Sequence, residues 1–308
     1  MRGVPRVAVV GPTGFVGSAV LGELERRRRG DAGGRGPILR AVSRREPGGI
    51  DEWCPVDLTA PETVRGVCEG VDVLLHLAAS LSSDEERCAA VNIEGTRALM
   101  ADASRYGVRR IVHLSTTAVY GPGPHRGIAV DGVPPAPVSP ASRTRLVAEG
   151  YALAAGATVL RPALILGPGD EWVVPTLARL LTAVPTLWDG GRALLSLVHV
   201  VDLARLITCF ALNDEGPRAR ILHAGHPEPV RCGDLLTTLA RCGELPEVTG
   251  DSSLRQCVAR LRASGAAVSE RQFSLVARDH WYDSRETWEA AGCEPGRGPL
   301  ARLTDSAR

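Results

Sequence analysis

Val4-Pro5-Arg6-Val7-Ala8-Val9-Val10-Gly11-Pro12-Thr13-Gly14-Phe15-Val16-Gly17 runs from an apolar stretch straight into a glycine-spaced turn. Residues 4–10 read as a strand. Residues 14–28 read as a helix with Phe15, Val16, Ala19, Val20 and Leu24 on one face. Between them, Gly11 permits a tight turn, Gly14 lets the backbone approach a pyrophosphate, and Gly17 lets the helix pack on a sheet. The helix N-terminus adds free N–H groups and a partial positive charge. The stretch therefore predicts a dinucleotide cradle made by Gly11, Thr13, Gly14, Phe15, Val16 and Gly17. The competing reading is a glycine-rich turn that holds no ligand.

The pattern continues outward. Ile38–Ser43 and residues 71–77, 108–115 and 158–166 read as further strands, alternating with helical stretches. The second of these is apolar enough to be buried on both faces, as in a parallel sheet. The expectation is an α/β fold, a Rossmann-like doubly wound parallel sheet with a smaller C-terminal substrate-binding lobe. Residues 1–166 form the expected nucleotide-binding core. Residues 167–308 form mainly the substrate lobe, with 197–225 returning to the core. Helices are expected near Val173–Ala183, 201–212 and 231–241. Residues 30–37 read as a glycine-rich surface loop. Residues 121–140 hold six prolines and read as a loop too proline-rich for regular structure, either a cover for the substrate pocket or a passive connection.

Bulk properties narrow the classes. A chain of 308 residues with 44% hydrophobic content supports a sizeable core. A net charge of +1 gives no reason to expect a nucleic acid or a membrane surface as partner. The basic run at 26–29 closes a predicted helix, where cations suit the dipole, so it reads as a solvated face. The eight cysteines are scattered without metal-ligand spacing. They read as reduced thiols, mostly packing residues, of a cytoplasmic protein, with no metal expected. The N-terminus lacks a signal peptide's cleavage region and no stretch is apolar enough to span a bilayer, so a cytoplasmic location is expected.

The end of the second strand bears on cofactor choice. An acid there usually serves the ribose hydroxyls of NAD(H). This chain has Ser43-Arg44-Arg45. Arginine forks match a phosphate, which favours NADP(H) over NAD(H), with Arg44 the first candidate ligand. The alternative is that one or both arginines point to solvent.

Taken in order, the motifs over roughly residues 5–205 resemble the extended short-chain dehydrogenase/reductase family, in its sugar-nucleotide epimerase and ketoreductase branch. Val56-Asp57-Leu58 is similar to the segment whose Asp contacts the adenine. His76-Leu77-Ala78-Ala79-Ser80 resembles the strand end lying along the cofactor, and Asn92-Ile93-Glu94-Gly95-Thr96 the Asn-x-x-Gly-Thr helix motif. Ser115-Thr116-Thr117-Ala118-Val119-Tyr120-Gly121 resembles the strand carrying the catalytic Ser/Thr. By this resemblance Thr116 takes that role, with Ser115 beside it. Leu160-Arg161-Pro162-Ala163 resembles the segment at the nicotinamide, bringing Pro162 and Ala163 to the cofactor; Val198-His199-Val200-Val201-Asp202 resembles a late motif of the branch. His76 and His199 read as scaffold residues.

One family motif is broken. Pro140-Ala141-Ser142-Arg143-Thr144-Arg145, followed by Ala148-Glu149, aligns with Pro-Tyr-x-x-x-Lys-x-x-Ala-Glu. In the family the tyrosine transfers a proton to or from the substrate oxygen, and the lysine holds the ribose. Ala141 cannot transfer a proton. Arg145 can still bond ribose hydroxyls and favour an alkoxide. General acid–base catalysis contributes about 10²–10⁴-fold, while positioning contributes roughly 7–11 kcal/mol, so hydride transfer survives this loss if another proton source exists. Tyr120, Ser142, Ser139, water and a hydroxyl of the substrate itself are the candidates. The expectation is an NAD(P)H-dependent ketoreductase acting on a small-molecule ketone that carries a hydroxyl. The intact cofactor motifs, the arginine pair and the missing Tyr and Lys also resemble an atypical ketoreductase type of antibiotic biosynthesis, and that resemblance implies a hydroxylated polycyclic ketone of angucyclinone type. The protein is expected as a monomer or homodimer. The alternatives are a non-catalytic NADP-binding sensor or scaffold, and a nucleotide-sugar ketoreductase or epimerase.

Overall fold

The computed structural model describes residues 4–30, 36–213, 216–218 and 220–306. Most of the predicted glycine-rich loop at 30–37 lies outside these. The chain opens with β1 (Arg6–Val10), α1 (Phe15–Gly30), β2 (Ile38–Ser43), β3 (Glu52–Pro55) and β4 (Val73–His76). Then come α2 (Glu85–Cys88), α3 (Thr96–Arg105), β5 (Arg110–Leu114), β6 (His125–Ile128), α4 (Pro140–Ala154) and β7 (Thr158–Arg161). Next are β8 (Leu164–Leu166), α5 (Val173–Ala183), β9 (Leu187–Trp188), β10 (Leu194–Leu195), β11 (Leu197–His199) and α6 (Val200–Leu212). The remainder holds β12 (Arg220–His223), β13 (Val230–Arg231), α7 (Cys232–Arg241), β14 (Asp251–Ser252), α8 (Leu254–Ala263), α9 (Glu270–Ala277), β15 (His280–Tyr282), α10 (Arg285–Ala291) and α11 (Pro299–Ser306).

Seven strands form the main sheet in the order β12-β7-β5-β4-β1-β2-β3, and every pairing is parallel. β4 and β5 are buried along their whole length because helices cover both faces. On one face α1 and α6 pack side by side over Val7, Val9, Leu75 and Val112, with Phe210 and Trp288 completing that cluster. On the other, Leu99, Met100 and Ala152 of α3 and α4 close over Ala8, Leu74 and Ile111. The strand order reverses between β1 and β4, which opens a crevice at their carboxyl ends. A third cluster, around Leu177, Trp188, Leu235 and Phe273, fills the C-terminal part beside a four-stranded sheet, β13-β10-β15-β6.

Two segments depart from the sequence reading. The predicted strand over 158–166 is split: β7 stays in the main sheet, while β8 leaves to pair with β11. Pro162 has no N–H to continue the ladder, and its carbonyl instead accepts from Thr117 N at 2.9 Å. The proline-rich stretch 121–140 is not devoid of regular structure. His125-Arg126-Gly127-Ile128, a proline-free window, forms β6 and pairs with β15. Residues 197–225 supply α6 and the edge strand β12 to the main core, and α10 also returns there.

The basic run at the end of α1 is neutralised locally. Arg26 and Arg27 both bond Glu23, Arg28 meets Asp51 at 2.8 Å, and Arg29 meets Glu25 at 3.3 Å. Among the described residues no helix is long and apolar enough to cross a membrane.

Candidate active site

The glycine turn is built by close approach. Gly11 sits at φ +82°, and a Cβ there would lie 2.9 Å from Ala78. A Cβ on Gly17 would collide with the Gly11 carbonyl oxygen at 1.9 Å, so α1 can start this close to β1 only with glycine. Gly14 differs: a Cβ there would meet only the Gly11 oxygen, at 3.5 Å. Folding does not require its bare backbone, which leaves room on the cleft side. The first turn of α1 contains no acid, so the chain itself does not cancel the positive end of the helix. These features fit a dinucleotide's phosphates.

From this turn a cleft of about 580 Å³ runs along the carboxyl ends of the central strands. It brings together Gly11, Thr13, Gly14, Phe15, Val16, Gly17, Ser43, Arg44, Asp57, Leu58, Leu77, Ala78, Ala79, Ser115, Thr116, Arg145, Pro162 and Ala163. Arg45 alone among the residues expected to hold the cofactor does not line it. Its carbonyl accepts from the Ser43 hydroxyl at 2.7 Å, and its side chain is exposed. Sequence reasoning missed Arg87 of α2 and the wall made by Leu81, Ile165, Trp172 and Val173. Arg87 carried no signal beyond its charge. The wall depends on how α5 is docked, which no local pattern specifies. At the outer end, hydrogen bonds from the Thr59 amide and hydroxyl hold the Asp57 carboxylate below its usual range, with Arg44 and Arg87 adding to this.

At the inner end Thr116 leaves β5 in extended conformation and caps a short 3-10 turn. Its Oγ1 accepts from Ala118 N at 3.1 Å. That leaves the hydroxyl proton available to the cleft, where Thr116 is half-buried. Ser115 is oriented otherwise. Its side chain is fully buried and its hydroxyl donates to Glu149 Oε1, so Ser115 meets the cleft without a free hydroxyl proton. Glu149 in turn bonds Arg161 through Nε at 2.9 Å and Nη2 at 2.5 Å, with both side chains buried.

The proposed alternative proton sources fare differently. Arg161 Nη1 donates to the Tyr120 hydroxyl at 2.8 Å, and that oxygen also contacts His223 Nε2 at 2.7 Å and the Val130 carbonyl at 2.9 Å. Burial pushes the Tyr120 phenol up in pKa. Tyr120 is thus locked in a structural network and does not line the cleft. Ser139 and Ser142 form a reciprocal capping box at the start of α4. Neither lines the cleft, nor does Ala141.

Arg145 stands one turn along α4 from Ala141. Its Nη2 donates to the Leu114 carbonyl at 3.0 Å and to the Ser115 carbonyl. Burial lowers it to about 10, with Glu149 opposing the shift, so it remains a cation at neutral pH. Beneath it lie His76 and His113, directly paired across β4 and β5, with ring centroids 4.9 Å apart. Burial, then the Arg145 charge, drives His76 down to about 4. Burial, then His76 and Arg145, puts His113 well below its ordinary value. Both are neutral, and His76 Nε2 meets Thr96 Oγ1 at 2.8 Å. His199 caps α6 through Nδ1, a scaffold role like that expected. Asn92 ties the cleft wall to α4: its amide bonds the Ser80 backbone at 2.7 and 3.0 Å and Thr144 Oγ1 at 2.9 Å.

Residues 7–225 match the NAD dependent epimerase/dehydratase family. The chain belongs to that family. Among curated relatives, a 4-hydroxy-2-methyl-3-oxo-4-farnesyl-3,4-dihydroquinoline-1-oxide ketoreductase from Stigmatella aurantiaca is 29% identical over 76% of this chain and 72% of its own. A 2-alkyl-3-oxoalkanoate reductase from Stenotrophomonas maltophilia is 33% identical over 56% of this chain and 54% of its own. Sterol demethylase protein B from Methylococcus capsulatus is 32% identical over 53% and 52%. The chain thus matches about half the length of the latter two. Among solved structures, MoeE5 in complex with UDP-glucuronic acid and NAD is 25% identical at TM-score 0.71, covering 98% of this chain and 97% of that one. A short-chain dehydrogenase/reductase superfamily protein from Agrobacterium tumefaciens with bound NAD has TM-score 0.75 at 23% identity, covering 98% and 96%.

Proposed function

We propose that this chain is an NADPH-dependent ketoreductase that reduces a carbonyl of a hydroxylated polycyclic natural product, of the angucyclinone type made in antibiotic biosynthesis. Residues 1–166 serve the cofactor in this reading, and 167–308 mainly the substrate. A bound reduced nicotinamide supplies the hydride.

The chain's own residues do the rest. Gly14 and the first N–H groups of α1 hold the phosphates, Arg44 takes the 2′-phosphate, and Asp57 with Leu58 borders the adenine. Leu77, Ala78, Ala79, Pro162 and Ala163 line the path to the nicotinamide. Thr116 donates its hydroxyl proton in a hydrogen bond to the carbonyl oxygen. Arg145 bonds the ribose, and its charge favours negative charge growing on that oxygen.

The observation that carries the reading is the mismatch at the inner end of the cleft. Thr116 and Arg145 line it, whereas Ala141, Tyr120, Ser139 and Ser142 do not. The side chains of the last three are engaged elsewhere, so the final proton comes from water or from a hydroxyl beside the ketone. The Stigmatella relative's name carries a hydroxyl at position 4 next to an oxo group at position 3, a substrate of that kind.

Leu81, Ile165, Trp172 and Val173 make an apolar wall, with Trp172 55% exposed. A flat aromatic ketone stacks on such a wall. Asp170 is the charged residue that the segment after β8 brings to the cleft, and its carboxylate is consumed capping α5. No cation from that segment lines the cleft to meet a sugar nucleotide's diphosphate. Steady-state assays with NADPH should show turnover of hydroxylated polycyclic ketones and none of UDP- or dTDP-sugars; the opposite preference would move the chain to the nucleotide-sugar branch.

A second reading, a non-catalytic NADP-binding sensor or scaffold, is favoured by Ala141 alone. It predicts tight NADPH binding with no oxidation by any ketone.

A further inference from the structure

On the outer face of the core, two half-buried cysteines from distant parts of the chain come to the edge of one apolar cluster, one of them against an arginine. Cys209 lies on α6, and Cys293 follows the left-handed Gly292 that ends α10. Both pack at the edge of the same apolar cluster, and the Cys293 Sγ–H donates to the Glu294 carbonyl at 3.8 Å, the carbonyl that Arg205, one turn before Cys209 on α6, also holds. Arg27 of α1 donates from Nη2 to Cys209 Sγ at 3.2 Å while its Nε is held by Glu23 at 2.8 Å. Arg205 fixes the other partner's segment. It bonds Asp202 at 2.8 Å and reaches the Glu294 carbonyl at 3.0 Å, next to Cys293. The Cys293 amide donates to Trp288 O at 3.1 Å, which pins the thiol's backbone.

We propose that Cys209 and Cys293 are an oxidation site, which a peroxide converts into an intramolecular disulfide joining α6 to the end of α10, with Cys209 reacting first. The donor set supports this order. Arg27 donates directly to the Cys209 sulfur; the Cys293 thiol, Arg27 and Arg205 hold Cys209 below its ordinary value against the cost of burial, whereas Cys293 is pushed up. Burial pushes Cys68 and Cys232 up to about 12, which leaves them unreactive thiols.

The chemistry balances with hydrogen peroxide as the oxidant. The Cys209 thiolate attacks one peroxide oxygen, the O–O bond breaks, and the departing hydroxide takes a proton to leave as water. The resulting sulfenic acid is attacked by the Cys293 sulfur, which gives up its proton. The S–O bond breaks, and the hydroxide leaves as a second water. Two thiols are oxidised by two electrons and one peroxide is reduced.

The test uses the full chain at pH 7 with near-stoichiometric hydrogen peroxide, followed by peptide mass mapping without reductant. The expected product is a cross-linked pair of peptides containing residues 209 and 293, two hydrogens lighter than the thiols and reversed by dithiothreitol. Cys293→Ser should leave a Cys209 sulfenic acid that a dimedone probe captures. Arg27→Ala should slow the disulfide by at least about threefold, because the gain in thiolate is partly offset by lower nucleophilicity. A circular-dichroism melt matching the parent's shows that each variant is folded. Oxidation beginning at Cys54, Cys88 or Cys242, or no cross-link once those have reacted, would overturn the proposal.

Discussion

Position 141 is where the family's tyrosine would stand, and Ala141 offers no proton there. At the inner end of the cleft the chemistry left is Thr116, whose oxygen is occupied by an amide donor and whose proton is not. Thr116→Val should therefore lower kcat by about 10²-fold, the cost of one preorganised donor to the reacting oxygen, while NADPH affinity measured by fluorescence titration stays the same. In the proposed reading, cofactor choice rests on Arg44 in the same way. A lost charge-assisted bond is about 1.5–3 kcal/mol, so Arg44→Ala should cut the NADPH/NADH ratio of kcat/KM by roughly 10–100-fold. Arg45→Ala should leave it unchanged. If the two variants behave the other way round, the phosphate ligand is Arg45 and the exposed loop after β2 rearranges on binding.

At the scale of elements, α4 shows how a broken motif can keep its scaffold. Ser139 and Ser142 satisfy each other's backbone at the helix start, which holds Arg145 at the cleft whether or not a tyrosine precedes it. Ser139→Ala should cost about 1 kcal/mol of stability, read from the midpoint of a urea titration, yet turnover per folded molecule should persist. Loss of turnover without loss of fold would return Ser139 to the proton-donor candidates. The same helix shows what sequence could and could not reveal. β1, α1, β2 and α5 were readable because apolar period and glycine spacing act locally. The site's inner half was readable through its motif, which places Thr116 and Arg145. The fate of the hydroxyls was not readable. Whether Ser115 faces Glu149, or Tyr120 faces Arg161, depends on side chains far apart in the chain meeting in three dimensions. The break at Pro162 was written in the sequence as a missing N–H within an otherwise unbroken apolar run. β6 was obscured by the prolines around it, though its own four residues are free of them.

For the molecule as a whole, buried neutral histidines set a pH limit. Burial, followed by nearby cations or histidines, lowers His76 and His223 to about 4 and holds His113 well below its ordinary value. Between their unfolded value of 6.5 and the folded one, only the unfolded chain binds these protons. Stability is therefore complete above about pH 6.5 and falls as the pH drops towards 4. For His76 the shift from 6.5 to about 4 corresponds to roughly 3 kcal/mol. Melting temperature should decline steadily across that window, and His76→Asn should flatten the decline. A profile that stays level from pH 7 to pH 4 would mean that these rings are solvated in the folded protein.

The architecture also separates two jobs, a dinucleotide cradle at the switch point of the main sheet and an apolar wall on the facing segment. The central claim is that they cooperate in reduction without the family's tyrosine. It is tested most directly by incubating the protein with NADPH deuterated at the transferable position and a hydroxylated polycyclic ketone, and then reading the product by mass. The account predicts one deuterium on the carbinol carbon of a reduced product. Tight NADPH binding with no deuterium transferred to any such ketone, angucyclinones included, would contradict it and leave a protein that holds the nucleotide without using it.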